Sequence, residues 1–153
     1  MNHHNRRRRR QSLKWLSSLL TLSVFPLRAQ PADTFAARID ELTGGQVVTT
    51  GRVVVDTPRL ADNGHSVAMR LSVESPMTAQ DHVRSITLLS PRNPRPLMAR
   101  FYLGASAGRA EIVTRVRLNG TQKVLAIAEM SDGTFWGGTA EVEVTESACL
   151  DAG

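Results

Sequence analysis

Cysteine is almost absent from this sequence. Cys149 is the sole thiol among 153 residues, so no disulfide can close within the chain. Aromatic residues are also few: two Trp, one Tyr and four Phe. That argues against a nucleic-acid surface, which interleaves basic residues with stacking rings. There is no glycine-rich phosphate loop. Histidine is scarce too, and beyond residue 29 only His65 and His82 remain. Two histidines and one cysteine do not make a recognisable metal site. Asp81 and His82 are adjacent, and neighbours on a strand point to opposite faces, so they form no triad and His82 is expected at the surface. Met69, Met77, Met98 and Met130 are candidates for a soft-metal site. Met69 and Met130 fall on inward strand positions, however, where packing is the stronger explanation. No catalytic residue, metal ligand or cofactor site is expected.

Acidic residues are missing from the first 32 positions. Arg6 to Arg10, Lys14 and Arg28 all lie before Gln30. The rest of the chain then carries 12 basic against 14 acidic residues, and is slightly acidic despite the formal net charge of +5. The basic stretch precedes "WLSSLLTLSVFPL", an apolar run too short to span a bilayer with ease. Residues 1–29 are therefore expected to be a cleaved export signal, with small Ala29 last before the cut. Within it "RRQSLK", Arg9 to Lys14, resembles the twin-arginine export motif of bacteria. An ordinary secretory signal with surplus arginines is the alternative. The mature protein is expected in the periplasm, with no membrane contact. "NGT" at Asn119 matches a glycosylation sequon, but with a bacterial signal a hairpin turn is the better expectation.

Beyond the signal, residues 30–45 predict one short helix. Phe35, Ile39 and Leu42 recur at helical spacing, Asp33 is a fair N-cap, and Gly44-Gly45 end it. It is expected to pack on the edge of the main domain. Residues 46–146 read as strands. In "HSVAMRLSVES" Val67, Met69, Leu71 and Val73 share one face. In "RAEIVTRVRLN" Ile112, Val116 and Leu118 oppose Glu111, Arg115 and Arg117. "QKVLAIAEMS" is apolar on both faces and suits a central strand. In "TFWGGTAEVEVT" Val142 and Val144 face in, and Glu141 and Glu143 face out. Asn119-Gly120 and Asp132-Gly133 are tight-turn pairs, which predict an antiparallel meander of the last three strands. "NPRP" makes a stiff connection between two others. About seven short strands with regular turns predict an all-β, immunoglobulin-like sandwich, preceded by the helix. The Cys–Trp–Cys pattern of antibody domains is lacking.

Cys149 remains. An unpaired thiol is a hazard in an oxidising compartment, and an odd cysteine there points to intermolecular pairing or a reactive group. It follows the last strand, where chain ends are usually mobile and a thiol is accessible. The residues alone leave open a covalent load, a disulfide dimer or mere tolerance.

The stretches "LADNGHSVAMRLSVESPMTAQDHVRSI", "NPRP", "SAGRAEIVTRVRL" and "AEMSDGTFW" resemble, in order and spacing, the SoxY family of the bacterial periplasmic sulfur-oxidation (Sox) system. The resemblance implies an immunoglobulin-like carrier, not an enzyme, that pairs with SoxZ and leaves the cytoplasm with it. It implies that Cys149, on a C-terminal arm at residues 147–153, holds thiosulfate-derived sulfur covalently. The c-type cytochrome pair SoxA and SoxX would load it, manganese-dependent SoxB would remove sulfate, and SoxC with SoxD would oxidise the remaining sulfur. The family arm reads Gly-Gly-Cys-Gly-Gly, whereas here Ser147-Ala148 precede the cysteine and Leu150-Asp151 follow it. Glycine makes an arm slim and free. Leu150 adds bulk, and the acids Glu146 and Asp151 disfavour a thiolate beside them. A diverged binding subunit that keeps the SoxZ interface and lacks carrier chemistry is the alternative.

Overall fold

The computed structural model describes residues 34–146. Residues 1–33 and 147–153, and with them the expected signal, the Asp33 cap and Cys149, lie outside the described residues. The helix α1 spans Thr34–Thr43. Its apolar stripe of Phe35, Ile39 and Leu42 packs against Leu89, Ile127 and Phe135. The Gly45 N–H donates back to the Asp40 carbonyl (3.0 Å) and closes the last turn.

Nine strands follow among the described residues: β1 (Val48–Thr50), β2 (Val53–Asp56), β3 (Leu60–Asn63), β4 (Val67–Val73), β5 (Val83–Leu89), β6 (Leu97–Tyr102), β7 (Ala110–Val116), β8 (Gln122–Met130) and β9 (Phe135–Glu146). One sheet runs β1-β9-β8-β5-β6, with β3 also paired to β9, and the other runs β2-β4-β7. The two face each other across the main core, where Met69 and Leu71 of β4 meet Ile86 and Leu88 of β5 and Val124 of β8. Each fully buried large aliphatic side chain there contributes about 1.5–3 kcal/mol.

Alternation decides which side chains enter that core. β4 buries Val67, Met69, Leu71 and Val73 and exposes Ala68 and Arg70. β9 buries Val142 and Val144 and exposes Glu141 and Glu143. β8 lies between β9 and β5, the central place its two apolar faces predict. Its Leu125 and Ile127 turn toward α1, while Val124, Ala126 and Ala128 enter the core. Met69 and Met130 are core residues, each 1% exposed.

Two expectations change. The last three strands are not a meander. β8 and β9 do form an antiparallel hairpin around Asp132-Gly133, but β7 pairs with β4 in the opposite sheet. Asn119-Gly120 is thus a crossover between sheets. Gly120 has φ 78°, as a tight turn requires, yet the chain there is held by Asn93. The Asn93 side chain accepts from the Asn119 N–H (2.9 Å) and donates to the Arg117 carbonyl (2.8 Å). The strand count is also higher than about seven. β1 and β3, three and four residues long, are too short and too polar for periodicity to reveal, and both pair parallel to β9. The start of β2 presses on β9 at Gly138. A Cβ there would lie 2.1 Å from the Val53 carbonyl oxygen, so only glycine fits.

Candidate functional site

The sequence points to Cys149, three positions beyond Glu146, the last residue of β9. The described structure shows how the strand leading to it is held. β3 lies parallel to its second half, with Leu60 opposite Glu143 and Asn63 opposite Glu146. The Glu143 N–H donates to the Arg59 carbonyl (2.8 Å), and the Gly64 N–H donates to the Glu146 carbonyl (2.7 Å). The Thr145 hydroxyl donates to the Asp62 carbonyl. On the opposite edge, just before β8 begins, the Thr121 hydroxyl accepts from the Val144 N–H (2.9 Å). Thr121 is itself held by Arg92, whose guanidinium donates to its carbonyl (2.7 Å). The backbone is therefore fixed on the β3 side up to Glu146 and on the β8 side up to Val144.

Sequence inspection missed these anchors. Asp62, Gly64 and Thr145 meet only because β3 is laid beside β9 from 83 positions away, and Thr121, read from the sequence only as part of the NGT turn, reaches Val144 from the β8 side.

Charge around the strand end is divided. Arg59, Thr121, Glu141 and Glu143 line a hollow of about 400 Å³ on one side. On the other, the Gly64 carbonyl accepts from the Leu118 N–H (2.8 Å), which brings the end of β7, with Arg115 and Arg117, beside the root of the last segment. Arg115 reaches the Ser66 hydroxyl (3.3 Å).

The other candidates are placed elsewhere. The His82 ring Nδ1 lies 3.1 Å from the Thr78 carbonyl, and the His82 backbone N–H donates to the Ser131 hydroxyl (3.1 Å). Asp81 belongs to the turn, its N–H donating to the Thr78 hydroxyl (3.0 Å), so the two residues serve the same loop and form no relay. His65 is exposed beside Asn63, whose side chain accepts from its N–H (3.1 Å). Among the described residues no three His, Cys, Asp or Glu side chains converge as metal ligands would. No helix among them is long and apolar enough to cross a membrane.

Comparison with solved structures places this fold. The sulfur carrier protein SoxY from Chlorobium limicola f thiosulfatophilum superposes with a TM-score of 0.60 at 21% identity, over 72% of this chain and 94% of that one. The superoxide reductase (neelaredoxin) of Ignicoccus hospitalis matches at 0.57 with 16% identity, over 63% and 94%. The superoxide reductase of Nanoarchaeum equitans matches at 0.53 with 14% identity, over 63% and 100%. At such identities the likeness concerns the sandwich alone, since one fold hosts many functions. No curated protein matches the chain. The family model described as "Sulfur oxidation protein SoxY" matches residues 39–149, from within α1 to the lone cysteine itself. With that match spanning most of its length, the chain belongs to the SoxY family of sulfur oxidation proteins.

Proposed function

We propose that this protein is a periplasmic sulfur carrier that holds thiosulfate-derived intermediates on Cys149 and presents them to Sox enzymes in complex with SoxZ. The observation that carries this reading is the family match, which extends to Cys149 in a chain with no other thiol. The firm anchoring of β9 up to Glu146 supports it, because a carrier needs a fixed base beneath its loaded residue.

The chemistry asked of the thiol is simple. Cys149 and thiosulfate lose one proton and two electrons together, forming a Cys–S–S–SO₃⁻ adduct, and a c-type cytochrome pair takes the electrons. Water then cleaves the terminal S–S bond at a partner hydrolase, releasing sulfate and a proton and leaving a persulfide on Cys149. The thiolate is the nucleophile, and every catalytic group belongs to the partners. The export signal at residues 1–29 would deliver the protein to the compartment where this occurs.

One observation favours a second reading. Leu150 and Asp151 follow the cysteine where a slim glycine arm would pass more easily into an enzyme channel. A binding subunit that has kept its SoxZ interface without carrier chemistry would tolerate them.

Intact mass separates the two. Protein from thiosulfate-grown cells should carry sulfur adducts that reduction removes and that Cys149→Ser abolishes. An unmodified thiol, with normal growth of the Cys149→Ser strain, would refute the carrier reading.

A further inference from the structure

An open sheet edge is a row of unpaired N–H and C=O groups, which natural proteins usually blunt. Most edges here are blunted. β1 has three residues, and β2 and β3 have four each. β6 follows Pro94 and Pro96, and its pairing with β5 shifts register at Leu88/Leu89. β7 is the exception. It ends the smaller sheet, runs for seven residues and contains neither proline nor glycine. Among the described residues it pairs with β4 alone, in unbroken register.

The ladder decides which backbone groups of β7 face outward. The Glu74 N–H donates to the Arg52 carbonyl (2.8 Å), in register with the β2–β4 pairs. Backbone groups alternate between the two edges of a strand, so even-numbered residues of β4 are turned to β2 and odd ones to β7. Met69 and Leu71 stand opposite Thr114 and Ile112. Ile112 and Thr114 therefore bond to β4, while Glu111, Val113 and Arg115 offer their N–H and C=O groups to the open edge. The side chains of the same three residues lie on the exposed face of the sheet, Val113 at 69%.

Their order is symmetric in character. Val113 is the centre, with an acid two residues before it and a base two residues after it. Turned antiparallel against itself about Val113, the strand sets Val113 against Val113, Glu111 against Arg115 and Arg115 against Glu111. Each of these pairs then exchanges both backbone bonds, about six in all. Opposite charges and β-branched residues set across from each other stabilise such a pairing. Glu111 accepts from Arg70 through Oε1, which leaves Oε2, and Arg115 reaches Ser66 through Nη1, which leaves Nη2.

We propose that β7 pairs with β7 of a second copy of this chain, about a two-fold axis through Val113. The two three-stranded sheets become one sheet of six strands. A two-fold interface uses the same patch on both copies and must complement itself, and the charge order of β7 meets that condition. Beyond the strand ends Arg109 falls opposite the second copy's Arg117, and this repulsion stops the pairing there. One strand pair is a small contact, so the dimer is transient. The proposal is independent of sulfur carriage, because the Cys149 thiol takes no part in it.

Sedimentation velocity of the reduced protein over a wide concentration range tests it. Wild type should pass from monomer to dimer, and salt should weaken the dimer. Glu111→Arg or Arg115→Glu each sets like charges opposite one another twice, and should weaken self-association by about tenfold or more. A mixture of the two variants has opposite charges at both positions again, so it should associate about as wild type does. Mere loss of the Arg70 bridge produces no such rescue. In amide exchange Glu111, Val113 and Arg115 should gain protection with concentration, while Ile112 and Thr114 change little. Should the charge variants not fold, this wild-type exchange decides alone, and protection at the three residues that ignores concentration overturns the proposal. A monomer at every concentration also overturns it, and leaves the edge to a different subunit. A dimer indifferent to both variants is equally fatal, since it must use another surface. The thiol is reduced throughout, so the outcome is separate from the sulfur-adduct experiment.

Discussion

The two halves of β9 are held differently. At its beginning a steric grip is added to hydrogen-bonded pairing with β1 and β8. Phe135 lies under α1, and the start of β2 crosses so closely that position 138 admits only glycine. Trp136 stacks beneath the Arg52 guanidinium, 4.7 Å from the ring centroid. At its end the grip is polar: β3 lies alongside, and Gly64, Thr121 and Thr145 hold the backbone up to Glu146. The difference teaches how one strand can serve two purposes. Close packing tolerates no change and anchors the fold. Hydrogen bonds fix a backbone direction while leaving the neighbourhood open to solvent and partners.

The sharpest way to break the comparison is Gly138→Ala. The new methyl would collide with backbone, which cannot rotate away, so a loss of about 3 kcal/mol or more in unfolding free energy is expected from chemical denaturation. Gly137→Ala should cost less, about 1–2 kcal/mol, because its Cβ meets only the tip of Val48 at 2.8 Å and a side chain can give. At the polar end, Thr121→Val leaves the Val144 N–H without its acceptor and should cost about 1–2 kcal/mol. Hydrogen exchange should then quicken at Val144 with little change at Gly137, while Thr121→Ser keeps the bond and the protection. Equal quickening at both positions would mean that the halves are not independent.

The smallest effect concerns the turn that begins β9. The Asp132 carboxylate accepts from the Thr134 N–H (2.9 Å) and hydroxyl (2.7 Å), and these bonds hold its pKa below the usual carboxylate range. The sign follows from linkage. A depressed pKa stabilises the fold above the unfolded-state value, and that contribution fades as pH falls through the folded value. The small advantage of wild type over Asp132→Ala in thermal melts should therefore shrink below about pH 4. The group is exposed, so the effect is modest, and a gap that widened on acidification would contradict the assignment.

Much of this could be seen in advance, and for a local reason. Which face of β4 or of the second half of β9 is buried follows from alternation, because the pleat sends successive side chains to opposite sides. The stripe of α1 and the double-faced β8 follow from the same kind of periodicity. The lone thiol, and the stretches resembling SoxY, needed no structure at all. Asn119-Gly120 marks the limit. Its residues specify a tight turn, but they do not say which strands flank it as partners. That was settled by Asn93, 26 positions away, and by the burial of Leu118.

The sequence by itself determined the faces of the long strands, the helix, the family and the single residue on which the proposed function turns. Each is written in residue type and short-range spacing. Only the tertiary structure decided that β3 lies along β9, and that hydrogen bonds hold β9 up to Glu146 on one side and up to Val144 on the other. Those relations join residues dozens of positions apart. Their energies exist only once the sheets have packed and chosen their neighbours.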